Sequence, residues 1–196
     1  MTTVHGHRGT LAGGTELVAV RDVAAVVAPG AEPDPLLPDP ELRDYRRVVE
    51  CVFRQQAILP APPGVVFRSR DVLTQWLELH YFALLDALSF VDDRVAARVD
   101  VRGEPGPPVG LPPEEGVDGV LQDALRVLRR HALGMVTFGG EAHAAGVRAA
   151  SFLVERDRWE AFAALVAAES TRLGEGSLVL SGPWPPYDFV RMQFAS

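Results

Sequence analysis

The chain has 196 residues, 26 acidic and 19 basic, and carries a net charge of −7. All 19 bases are arginine, because the sequence contains no lysine. That excludes a P-loop lysine, a Schiff base to a carbonyl or to PLP, and protein-kinase chemistry. The acidic balance argues against bulk binding to nucleic acid or an anionic membrane, which needs a basic patch. Cys51 is the single cysteine, so no internal disulfide forms and a reducing interior is the natural setting. Residues Met1 to Val20 hold no apolar stretch of signal-peptide character. The longest wholly apolar run, Ala161 to Ala168, has eight residues and is too short to span a bilayer. These features predict a soluble, cytoplasmic protein of one large or two small domains.

All 16 prolines fall in four clusters, at 29–40, 60–63, 105–113 and 183–186. Residues 15–28 are rich in Val and Ala with a polar break at Arg21-Asp22, which suits two short strands or one bent one. Asp39 can cap a helix with Pro40 at its first position, and Leu42, Tyr45, Val49, Val52 and Phe53 recur at helical spacing. That helix should stop before Pro60. Gly64 to Phe67 reads as a short strand. Ser69 should cap a long helix to about Phe90, with Val72, Leu73, Trp76, Leu77, His80, Tyr81, Leu84 and Leu88 as its apolar stripe.

Val95 to Val101 alternates as a strand, and 103–116 is a Gly/Pro-rich loop. Val117 to His131 is an amphipathic helix. Gly134 to Phe138 and Gly146 to Val154 are strands joined by a turn over Gly139 to Ala145. Residues 155–172 form a helix closed by Gly174, and Ser177 to Leu180 is a final strand. The predicted class is α+β with two small domains. An N-terminal α+β domain covers 1–92, a ferredoxin-like β-α-β-β-α-β domain covers 93–182, and an extended Pro/aromatic tail covers 183–196.

No candidate catalytic or metal-binding constellation emerges. His5 and His7 lack a third ligand nearby, and Glu141 and His143 have no partner at metal spacing. His80 sits on an apolar helix stripe, as a core or interface histidine would, and His131 closes a helix whose dipole it complements. Asp92-Asp93 and Glu114-Glu115 are neighbours that do not face each other across a substrate. Cys51 has no histidine in its helix to activate it. Neither G-x-S-x-G nor H-E-x-x-H occurs. Phe138 and Phe152 could stack bases on an RRM sheet, but the RNP pattern is missing. The expectation is a protein that is not an enzyme and uses no metal and no cofactor.

The most specific segment is Ser181-Gly182-Pro183-Trp184-Pro185-Pro186-Tyr187-Asp188-Phe189-Val190. Three prolines in four residues exclude helix and central strand, leaving an extended backbone. Large aromatics on so stiff a segment dock with little entropy loss. Such a segment can strap its own sheet or offer an aromatic surface to a partner, and the two are compatible.

This ending resembles the GPWPPYxFV hallmark of the GvpL/GvpF gas vesicle proteins. Residues 150–166 are similar to the strand and helix that precede that ending in the family. Leu59-Pro60, Gly64 and Phe67 also match a family loop, from which Ala61-Pro62-Pro63 departs. The resemblance implies an accessory protein of gas vesicles with two α+β domains, the second ferredoxin-like, and no catalytic activity. Its implied partners are the gas vesicle shell protein and other gas vesicle accessory proteins, with no nucleic acid and no membrane. Residues Gly182, Pro183, Trp184, Pro185, Pro186, Tyr187 and Phe189 would then carry the interaction or hold the tail. The alternative from another class is a ferredoxin-like module that binds a small molecule or serves regulation.

Overall fold

The computed structural model describes residues 2–5, 14–28, 39–102, 117–139 and 147–190. His7, the loop 103–116 with Glu114-Glu115, the turn holding Glu141 and His143, and residues 191–196 lie outside that range. The described chain is mixed α/β and divides into two units. One is Met1–Asp92 with Val190, and the other is Asp93–Phe189.

The first unit holds an antiparallel sheet of β1 (Thr2–His5), β2 (Glu16–Val20), β3 (Val23–Val27) and β4 (Ile58–Pro60), in the order β2-β3-β1-β4. The polar break at Arg21-Asp22 is a two-residue hairpin turn. Val20 pairs with Val23, and Arg21 takes φ 52°, the left-handed conformation such turns require. β1 carries no strong sequence signal of its own, yet it lies between β3 and β4.

The strand expected at Gly64–Phe67 lies earlier, at Ile58–Pro60. Ile58 and Leu59 are buried where they pair with β1, whereas Val66 is exposed. The Pro62-Pro63-Gly64 run is a turn: Val65 N–H donates to the Pro62 carbonyl at 3.3 Å, and Gly64 has φ 85°. Pro60 is tolerated because β4 is an edge strand.

Helix α1 (Asp39–Phe53) ends before Pro60. The long helix expected after Ser69 is instead α2 (Arg70–Leu79) and α3 (Tyr81–Val91), offset at His80 with φ −99° and ψ 10°. Ser69 Oγ caps α2 by accepting from Val72 N–H at 3.2 Å. At the offset His80 serves both helices, its N–H donating to Trp76 O and its carbonyl accepting from Leu84 N–H. Leu73, Trp76, Leu77, Tyr81, Leu84, Leu88 and Val91 pack on Val18, Val20, Val23, Ala25 and Leu59 of the sheet. Tyr81 reaches past the core to donate to Asp22 Oδ2 at 3.0 Å, and the Arg21 guanidinium lies 4.9 Å from its ring centre. Burial first, then the Asp22 carboxylate, pushes the Tyr81 hydroxyl pKa up.

The second unit runs β5 (Arg94–Val101), α4 (Val117–Arg130), β6 (Gly134–Gly139), β7 (Val147–Glu155), α5 (Trp159–Leu173) and β8 (Leu178–Trp184). Its sheet has the order β6-β7-β5-β8, with every neighbouring pair antiparallel. Val95, Ala97 and Val99 share a face with Ala150, Phe152 and Val154, because directly paired residues point the same way. That face meets the helices: the Phe152 and Phe162 rings are 5.3 Å apart.

Candidate functional site

The opposite face of the second sheet is where the C-terminal signature lies. One row across it reads Gly134, Leu153, Ala96 and Trp184. β8 runs further than the Ser177–Leu180 expected. Gly182, Pro183 and Trp184 belong to it, so the tail expected from residue 183 begins as sheet. Between Ala96↔Trp184 and Arg98↔Ser181, β8 spends three steps against two on β5. This bulge on an edge strand is a position where a proline's missing N–H does no harm. Gly182 has φ 130° and precedes a cis bond to Pro183. A Cβ on Gly182 would stand 2.9 Å from the Ala96 carbonyl oxygen and 2.9 Å from Trp159 Cη2. Only glycine fits there.

From Trp184 the chain crosses to the far edge of the sheet. Phe189 sits on Gly134, its Cε1 3.2 Å from where a Cβ would be, with Leu153 Cβ alongside. Three inter-strand spacings come to roughly 14 Å, a distance that five extended residues cover. Pro185 and Pro186, between the two anchors, are buried. Beyond them a tight turn forms, with Tyr187 N–H donating to Pro185 O at 2.7 Å and Phe189 N–H donating to Pro186 O at 3.2 Å. Trp184 and Tyr187 remain 42% and 41% exposed. The Trp184 indole N–H donates to Ser181 Oγ at 3.3 Å, which fixes the direction of its ring. After Phe189, Val190 packs against the core of the first unit.

Beside this crossing the same sheet face holds a group that sequence reasoning missed. The Arg98 guanidinium lies 5.0 Å from the Phe138 ring centre and donates to Asp100 Oδ1 at 3.1 Å. The i, i+2 spacing of Arg98 and Asp100 in a strand was the available signal, since it puts both on one face. Gly134 and Trp159 were missed as well, and nothing local marks either as a partner of the tail.

The other residues singled out by sequence have structural surroundings. Leu59 is buried in β4, Pro60 ends that strand, and Gly64 makes the turn that follows. Phe67 is half-buried, its ring 5.7 Å from Trp76 in a T-shaped pair. These belong to the first unit, and the signature as far as Phe189 belongs to the second. The His80 ring lies 4.6 Å from that of Trp76, tilted by 47°, and Cys51 is half-buried in α1. Among the described residues, no three His, Cys, Asp or Glu side chains gather where a metal could be held. Among them too, no helix is long and apolar enough to cross a membrane.

A family profile described as gas vesicle synthesis protein GvpL/GvpF matches residues 2–109 and 114–191, nearly the whole chain. The chain belongs to the GvpL/GvpF family. It is similar to gas vesicle protein F1 of Halobacterium salinarum, with 24% identity over 176 residues, covering 88% of this chain and 79% of that protein. Its fold is similar to the crystal structure of gas vesicle protein GvpF from Anabaena sp. PCC7120. The TM-score is 0.71 at 15% identity, over 99% of this chain and 91% of the other. The crystal structure of GvpF from Microcystis aeruginosa gives a TM-score of 0.64 at 15% identity, over 91% and 89% of the two chains. At such identity the structural likeness speaks for fold alone. The family assignment rests on the sequence profile, whose match runs through the strap to residue 191.

Proposed function

We propose that this chain is a non-catalytic accessory protein of gas vesicle assembly, acting in the cytoplasm by contact with the shell protein and other accessory proteins. The observation that carries the reading is the strap. Buried prolines and the Phe189 anchor hold it to the sheet, while Trp184 and Tyr187 are left exposed on a stiff support. Aromatic anchors whose conformational freedom is already spent are the kind of group that dominates protein interfaces. Strap and interface are on this reading two aspects of one segment. The strand order and antiparallel pairing of the second unit support its reading as ferredoxin-like, with the strap on the face away from the helices. We read the chain as two domains meeting at residues 92 and 93, with the strap built onto the second.

A benzophenone amino acid placed at Tyr187 tests the contact in cells that are forming vesicles. The expected product is an adduct with the shell protein or another gas vesicle protein. Adducts with unrelated proteins alone would sink the proposal.

A further inference from the structure

The second unit carries a cleft between α4 and α5. Its volume is about 260 Å³, and it is lined by Asp123, Arg126, Val127, Arg130 and Arg172. The first four recur at i, i+3, i+4 and i+7, so they form one stripe along α4. Arg172 reaches the same cleft from the last turn of α5. Three of the five lining residues are therefore arginine, in a chain whose net charge is −7.

Acids of the same helices hold two of these side chains. Arg126 Nη1 donates to Asp123 Oδ1, one turn back. Arg172 donates through Nε at 2.9 Å and Nη2 at 2.7 Å to one oxygen of Glu169, whose side chain is only 12% exposed. Arg130 has no ion pair or side-chain hydrogen bond among the described residues. Three arginines against Asp123 and Glu169 leave one positive charge in excess at the cleft. A helix dipole accounts for a cation in a last turn, and Arg130 and Arg172 both occupy one. It does not account for Arg126, a turn earlier, or for three guanidiniums lining one small space. Nor is Arg130 the residue that closes its helix, since Arg129 Nη1 donates to the Ala132 carbonyl at 2.9 Å. Like charges gathered in this way repel unless an anion lies among them.

We propose that this cleft binds the phosphoryl group of a small phosphorylated molecule. A carboxylate presents two oxygens in one plane, which one or two guanidinium forks satisfy. A phosphoryl group presents three terminal oxygens in a tetrahedral arrangement, one for each fork arriving from α4 and α5. The pairs to Asp123 and Glu169 leave further N–H donors on Arg126 and Arg172, while Arg130 offers all of its own. Val127 supplies an apolar wall for the carbon skeleton of the ligand. The size points to a small molecule, since sites that enclose a drug-sized ligand run to roughly 300–1,000 Å³. This cleft is separate from the strap, and the inference holds whether or not the strap contacts a partner.

Isothermal titration calorimetry of the full chain, in chloride buffer of constant ionic strength, tests it with inorganic phosphate, glucose 6-phosphate and acetate. Both phosphates should bind at one site, about tenfold or more tighter than acetate. Arg130→Gln should weaken glucose 6-phosphate binding about tenfold. Its melting temperature should not change, because the Arg130 guanidinium holds nothing together among the described residues. Arg158→Gln removes the same charge from an exposed position outside the cleft and should leave binding as it was. No saturable binding, equal affinity for acetate and phosphate, wild-type affinity in Arg130→Gln, or an equal loss in Arg158→Gln overturns the proposal. So does a phosphoserine peptide that binds about tenfold or more tighter than glucose 6-phosphate, which would make a phosphorylated partner the occupant.

Discussion

Replacing Gly182 by alanine tests the strap geometry directly. The backbone there has φ 130°, outside the range a residue with a Cβ adopts without strain. The new Cβ would also stand 2.9 Å from the Ala96 carbonyl oxygen, part of a paired strand that cannot swing away. Strain of roughly 1–3 kcal/mol and overpacking of roughly 1–3 kcal/mol together predict a loss of about 2–6 kcal/mol. Gly176→Ala is the matched control. Its φ is +82°, but nothing lies within 4 Å of the added carbon, so only the conformational cost of about 1–2 kcal/mol applies. The gap of about 2 kcal/mol corresponds to roughly 4–8 °C in melting temperature for a chain of this size. Near-UV circular dichroism is a suitable assay, because Trp159 and Trp184 both lie in the second unit. Equal losses for the two variants, or a Gly182→Ala loss below about 1 kcal/mol, would refute the close approach of strap and β5.

Within the strap itself, Phe189→Ala should cost roughly 2–3 kcal/mol by uncovering Gly134 and Leu153. Trp184→Ala, at a more exposed position, should cost about 1 kcal/mol, and urea titrations of the two variants check the order. The hydroxyl of Ser151 is buried on β7 with no hydrogen-bond partner among the described residues. Ser151→Ala should therefore leave stability unchanged or raise it by up to about 1 kcal/mol, and a clear loss would mean the hydroxyl is bonded. The third concerns alkaline pH. Folding raises the Tyr81 pKa above its ordinary value of 10.0, so the stability it confers is complete below about pH 10 and is lost as pH climbs through the folded value. With no lysine to titrate alongside, Tyr81→Phe should show a smaller fall in stability above pH 10 than wild type. Parallel curves would contradict the assignment.

The sequence carried the helices and most strands because periodicity and punctuation are local. Ser69 capped its helix as its position implied, and Arg21-Asp22 turned the hairpin. What was not legible depended on distant partners. Thr2–His5 is a strand because β3 and β4 leave room between them, and Gly64–Phe67 is not one because no neighbour pairs with it. In sequence the signature is a stiff segment with two open roles. Its course became visible only with Gly134, Ala96 and Trp159, which lie 23 to 86 residues before Gly182 in the chain. The family resemblance was legible in the decamer because its residue types are so constrained.

The central claim is that this chain serves the building of gas vesicles. Deleting its gene in a strain that makes vesicles, and counting them by electron microscopy, tests that claim most directly. The account predicts few or no vesicles in the deletion strain and their return when the wild-type gene is restored. Vesicles of normal number and shape in the deletion strain would contradict it.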